Sequence, residues 1–284
     1  MTNTEDVLPW RKRQTRETAG FVSPAVRRLA AERGVDVATL SGSGANGRIT
    51  RADVEAPPAA ARGDEVVPFN NIRKRAAGML LASKQTSPHT LCTVRANYSS
   101  IEAARAGYRL TYLPFVARAV CDALRQFPHM NAAVDGETLV VRRDINLGIA
   151  VDLDFQGLIV PVVRDADGLR LHALADAIRD VATRARNKKL VPDDLAGGSF
   201  TITNPGGYGT WQSFPIINQP QVGILATDGV SKQVYVDDAG RMDIAPMGHL
   251  CLTFDHRAVD GAYAGSFLAR VKEIVETRDW STEL

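Results

Sequence analysis

Residues 249–271 read HLCLTFDHRAVDGAYAGSFLARV. The run HLCLTF is apolar and β-favouring, which predicts a buried strand. From Gly261 onward Ala264, Phe267, Leu268, Val271 and Val275 recur at helical spacing, which predicts a helix with those residues inward. Strand followed directly by helix marks a mixed α/β domain. His256, Arg257 and Asp260 fall on the connection, where two rigid elements can hold a side chain without burying it. A neutral imidazole there can take a proton from a hydroxyl or thiol near neutral pH, provided its ring is fixed. A neighbouring carboxylate and arginine can brace it. Asp260 also fits the N-cap of the helix, with Gly261 behind it.

Upstream, the same punctuation divides the chain. Residues 1–20 are polar and aperiodic and are expected to be disordered. In residues 21–55 Ser23 is placed to cap a helix beginning at Pro24, Val26, Leu29 and Ala30 share a face, and Gly34 can close it. Thr50 and Asp53 have capping-box spacing for a second short helix. Gly42, Gly44 and Gly47 formally match G-x-G-x-x-G, but no strand precedes and no long helix follows, so a tight turn is expected rather than a dinucleotide site. Residues 56–65 read as an Ala/Pro linker. Residues 66–284 form the α/β domain, with helices in LPFVARAVCDALRQFP and LHALADAIRDVATRARNKKL. Strands are expected in TLVVRRDINLGIAVDL, GLIVPVV, GSFTITN, QVGILATDGV and HLCLTF.

The bulk properties exclude several classes. A net charge of +2 over 284 residues argues against nucleic acid as the main partner. No apolar leader and no run of membrane-spanning length is present, so a cytoplasmic protein that neither enters nor crosses a membrane is expected. Cys92, Cys121 and Cys251 are far apart, lie among apolar neighbours and have no metal-ligand spacing, so buried reduced thiols and no metal are expected.

DHRAVDG resembles the H-x-x-x-D-G signature of the acyltransferase (E2) components of 2-oxo acid dehydrogenase complexes, related in fold to chloramphenicol acetyltransferase. NNIRKRAAGMLLASKQTSPH, KKLVPDDLAGGSFTITNPGGYG and IINQPQVGILATDGV are similar to further segments of that family, in family order. VSPAVRRLAAERGVD and GSGANGRITRADV resemble its peripheral subunit-binding domain. The resemblance implies a mixed α/β, two-layer sandwich of the chloramphenicol acetyltransferase type, preceded by a small two-helix domain. It implies direct acyl transfer with acetyl-CoA as co-substrate, His256 as base and Thr203 as hydroxyl donor to the oxyanion. It further implies a homotrimer in which those two residues meet across a subunit interface. Asp260 is then a structural support, paired with an arginine such as Arg73. Residues 21–55, with Arg27, Arg28, Arg48 and Arg51, would dock a dehydrogenase subunit.

Tyr208, Trp211 and Phe214 follow Thr203 among glycines and are expected to line the acceptor pocket, the alternative being ordinary core. Only about 20 residues precede Phe21, and their one lysine, Lys12, lies on no recognisable hairpin, so no lipoyl group is expected on this chain. Two readings follow, and the first is preferred, because the complex's chemistry depends on a lipoyl arm whereas docking serves assembly. The first is a free-standing O-acetyltransferase acting on a small-molecule or carrier-bound acceptor, such as a hydroxymethyl tetronate. The second is a lipoyl-less E2 core or scaffold of a dehydrogenase complex.

Overall fold

The Ser23 hydroxyl accepts the Val26 N–H at 3.4 Å and Pro24 opens the helix, so α1 (Pro24–Glu32) begins where the sequence predicts. Gly34, at φ +65°, supplies the left-handed exit. In α2 (Arg51–Glu55) Thr50 and Asp53 form the expected capping box. The Asp53 carboxylate accepts hydrogen bonds from Ser43 and Thr50, which hold its pKa well below the usual carboxylate range. Val26, Ala30, Ile49 and Val54 make a core of their own. A Cβ on Gly42 would lie 2.2 Å from the Gly47 carbonyl oxygen, so the glycine loop closes on its own backbone, as a tight turn requires.

The structure is a computed structural model that describes residues 22–56, 65–237 and 239–284. The disorder expected for residues 1–20, and nearly all of the linker expected at 56–65, lie outside the described residues. The chain separates into two units between Pro68 and Phe69.

The larger unit runs in the order α3 (Asn71–Thr86), β1 (His89–Asn97), α4 (Ser99–Arg105), α5 (Tyr112–Gln126), β2 (Ala132–Asp135), β3 (Thr138–Val141), β4 (Leu147–Ile149), β5 (Val151–Asp152), β6 (Leu158–Ile159), β7 (Val162–Val163), α6 (Leu171–Arg186), β8 (Phe200–Thr203), β9 (Gly223–Thr227), β10 (Ser231–Val236), β11 (Met242–Asp255) and α7 (Gly261–Thr277). A seven-stranded sheet has the order β1-β11-β9-β8-β4-β7, with β10 beside the first half of β11. Strands β4, β8 and β9 are mutually parallel and the remaining pairings antiparallel.

Side chains alternate across a strand, so β11 carries two different faces. Leu250, Leu252 and Phe254 join Phe200, Ile202 and Leu225 in the main core beneath the helices, where Phe267 of α7 meets Phe200 edge-on. His249, Cys251, Thr253 and Asp255 point the other way, toward the segment between β8 and β9. Val116, Val120 and Leu124 of α5, Leu171, Leu174, Ile178, Val181 and Ala185 of α6, and all five inward residues expected for α7 are buried, while Phe127, which continues the α5 spacing, is only partly so. Trp280 lies at 1 % exposure with its ring edge-on to Phe115.

Two expectations need correction. The strand expected at HLCLTF begins seven residues earlier, at Met242, and β1, β2 and β10 were not expected. Pro246 inside β11 reads as a break, yet it sits where Lys232 of β10 is its partner and its carbonyl accepts the Tyr98 N–H at 2.8 Å. Of the three cysteines, all free, Cys121 and Cys251 are buried but Cys92 is only partly so. Burial pushes the Cys121 thiol up to about 12, so it is inert.

Candidate active site

Strand β11 delivers His256 one residue past its end. Asp255 donates its N–H to the Val222 carbonyl at 2.8 Å, and His256 donates its own to the Pro88 carbonyl at 3.2 Å, so the backbone is fixed on both sides. The Asp255 carboxylate is 1 % exposed and accepts Ser87 Oγ at 2.6 Å, Arg257 N at 2.9 Å and Arg257 Nη2 at 2.6 Å. Burial alone would raise its pKa, but the hydrogen bonds from Arg257 and Ser87 outweigh burial and hold it below the usual range. The His256 side chain is 43 % exposed, its ring 5.6 Å from that of Phe254. Its Nδ1 is 4.0 Å from Asp260 Oδ1, which is charge proximity rather than a hydrogen bond.

The carboxylate–arginine pair nearest the imidazole along the chain is Asp255 with Arg257. Asp260 occupies the N-cap position of α7, but its side chain makes no capping bond and is 91 % exposed. Arg73 instead reaches the Phe155 carbonyl, at 3.4 Å. Gly261 opens α7 in open space, where a Cβ would meet nothing. Arg257, adjacent to the imidazole, pairs with Asp255 because that carboxylate is the buried charge needing neutralisation.

Arg257→Ala leaves Asp255 buried without its cation and costs about 3 kcal/mol, at the lower end for a broken buried pair because the guanidinium is partly solvated. Since the native pKa of Asp255 is depressed, the pair's contribution is complete above the ordinary carboxylate pKa and is lost as pH falls through the lowered value. The stability gap between wild type and variant, measured by urea melts from pH 7 downward, narrows only in acid. A constant gap would contradict the assignment.

Thr203 ends β8, half-buried, at the carboxyl ends of the parallel strands. The register runs from Thr203 to Ala226 to Cys251, and His256 lies five residues beyond Cys251. Five residues of strand and two strand spacings place the two candidates about 19 Å apart in one chain. One subunit therefore does not bring them together.

The aromatic residues after Thr203 are exposed rather than core: Tyr208 69 %, Trp211 58 % and Phe214 48 %. Tyr208 neighbours the still more exposed Phe155, ring centres 6.4 Å apart. Trp211 packs on the buried His249 at 4.6 Å. Burial lowers the His249 pKa, with Asp228 opposing and Arg95 reinforcing the shift. Asp228, also buried, takes hydrogen bonds from Thr210 Oγ1 at 2.5 Å and Ser213 Oγ at 2.7 Å, pinning this loop to the end of β9. The sequence reading missed Asp255, His249 and Asp228. For Asp255 a signal existed: a carboxylate closing an apolar strand two residues before an arginine.

Among the described residues no three His, Cys, Asp or Glu side chains could hold a metal ion, and no helix is long and apolar enough to cross a membrane.

Residues 61–281 match the catalytic domain of the 2-oxoacid dehydrogenases acyltransferase family, and residues 20–55 match the e3 binding domain. The chain is 35 % identical to the lipoamide acyltransferase component of the branched-chain alpha-keto acid dehydrogenase complex of Bacillus subtilis, over 92 % of this chain and 72 % of that one. It is also 35 % identical to the dihydrolipoyllysine-residue succinyltransferase component of the 2-oxoglutarate dehydrogenase complex of Escherichia coli K12, over 90 % and 70 %. The cubic core of a pyruvate dehydrogenase multienzyme complex superposes with a TM-score of 0.74 at 31 % identity, covering 78 % of this chain and 95 % of that one.

Proposed function

Since this chain belongs to the 2-oxoacid dehydrogenase acyltransferase family and is an acyltransferase, we propose that it exchanges an acyl group between coenzyme A and a dihydrolipoyl thiol, with His256 as base. The reading is carried by an accessible imidazole, braced through its backbone, within the segment matched to the family's catalytic domain. The relatives named above are components of 2-oxo acid dehydrogenase complexes, which supports the E2 reading over transfer to a tetronate hydroxyl.

In the forward step His256 accepts the proton of the CoA thiol as its sulfur attacks the carbonyl of the S-acyl dihydrolipoyl thioester. The tetrahedral oxyanion accepts a hydrogen bond from Thr203 Oγ. Collapse breaks the carbon–sulfur bond to the lipoyl arm, and the departing thiolate takes the proton from the His256 imidazolium. No acyl-enzyme forms. Because Thr203 and His256 lie about 19 Å apart in one chain, the site is completed by His256 of one copy and Thr203 of the next, in keeping with a homotrimer. Residues 21–55, within the segment matched to the e3 binding domain, supply a docking module for a dehydrogenase subunit.

The test offers acetyl-, succinyl- and isobutyryl-CoA to the full chain, with dihydrolipoamide or a hydroxymethyl tetronate as acceptor, and follows free CoA. Transfer to dihydrolipoamide is expected. Transfer to the tetronate alone would reverse the assignment.

A further inference from the structure

The connection between β8 and β9 ends in INQPQV, residues 217–222, and its alternate residues are fastened from three directions. Ile217 donates its N–H to His89 Nε2 at 3.1 Å, while its carbonyl accepts Ser83 Oγ at 2.7 Å. Gln219 Nε2 donates to Ser83 Oγ at 3.1 Å and to Ser87 Oγ at 2.8 Å, bridging residues one helical turn apart at the end of α3. Gln221 accepts Thr201 Oγ1 at 2.6 Å, two residues before Thr203. Ser87, itself 3 % exposed, donates its own O–H to the Asp255 carboxylate.

We propose that Gln219 is a positioning residue for His256. The inference rests on the reading of His256 as the base. A single amide nitrogen holds two hydroxyls, and each hydroxyl then has one direction left for its proton: Ser83 toward the Ile217 carbonyl and Ser87 toward the Asp255 carboxylate. That orients the hydroxyl donor on a buried carboxylate whose other donors, a backbone N–H and the guanidinium, come from Arg257. The end of α3, the Pro88 turn and the end of β11 thereby form one hydrogen-bonded block, and the next residue is His256, whose N–H is held by Pro88. Gln219 touches no reacting atom. It fixes the plane from which the imidazole projects, and misplacing a proton acceptor by about 1 Å can cost two orders of magnitude in rate.

The chain of bonds also links the two candidate residues within a subunit. Through Gln221 and Thr201 the same segment grips β8 just ahead of Thr203. The base and the oxyanion donor of one chain are thus set by a common strap, although they serve different sites.

The experiment uses the full chain and initial rates of CoA-dependent transfer to dihydrolipoamide. Gln219→Met keeps the side-chain length and removes both donated bonds; kcat falls about 10- to 100-fold while both KM values stay within about twofold. Ser87→Ala, which removes the proton directed at Asp255, gives the same split, and Ser87→Thr, which keeps the hydroxyl, recovers most of the rate. A residue of structural importance only would lower the melting temperature without separating kcat from KM. Unchanged kcat in folded Gln219→Met, or in folded Ser87→Ala, would overturn the positioning role and leave the assignment of His256 standing. Absence of transfer by the unaltered chain would overturn both.

Discussion

Alanine at position 256 lowers kcat for acyl transfer by about 10²- to 10⁴-fold, the range for removal of a general base. The melting temperature moves by no more than about 2 °C, because the imidazole makes no hydrogen bond to the described residues and is 43 % exposed, so nothing buried among them is left unpaired. KM for CoA changes little. The measurement is CoA release against a calorimetric scan of the same preparation. A folded His256→Ala variant with more than about a tenth of wild-type kcat would remove His256 from the mechanism.

Alanine at position 203 lowers kcat about 10²- to 10³-fold, as loss of one oxyanion donor does. The larger effect comes from mixing. His256→Ala and Thr203→Ala chains are each nearly inactive, yet unfolded together and refolded at equal amounts they regain activity in about one quarter of sites, the fraction in which an intact His256 meets an intact Thr203 by random pairing. Separate refolding of the two variants, followed by mixing without exchange, gives none. If co-refolding also gave none, both residues would have to act within one chain, which the β8–β9–β11 register places about 19 Å apart.

What could be read in advance was local. Ser23 with Pro24, and Thr50 with Asp53, are caps whose partners lie within three residues, and both are realised. The inward faces of α6 and α7 are legible because helical periodicity needs only the helix itself. The bracing of His256 was not legible, since Ser87 meets Asp255 across 168 residues and Gln219 meets Ser87 across 132. Pairing is a property of the fold: Asp260, four residues from the histidine, stays 91 % exposed, while the more distant partners close on Asp255. Strand β10 escaped notice because Val234 and Val236 alternate onto a face that is 62 % exposed, so their pattern reports no core. The aromatic residues at 208, 211 and 214 are alike on paper, and only the structure separates Trp211, lying on His249, from Tyr208 beside Phe155.

The sheet order carries a consequence for how the chain comes to be folded. Strand β11 is the last to be synthesised, yet it lies between β1, near the start of the larger unit, and β9. A nascent chain that has not reached Met242 has no partner for β1 and leaves one edge of β9 open, with their backbone donors and acceptors free to pair with another chain. Long-range closure of this kind is slow. The larger unit therefore reaches its native state only after residue 255 is free to insert, while the capped helices α1 and α2, whose core closes within residues 22–56, can fold long before. Substitutions that weaken β11 pairing, such as proline at Leu252, will show first as loss of soluble protein during synthesis rather than as reduced activity of the protein that survives.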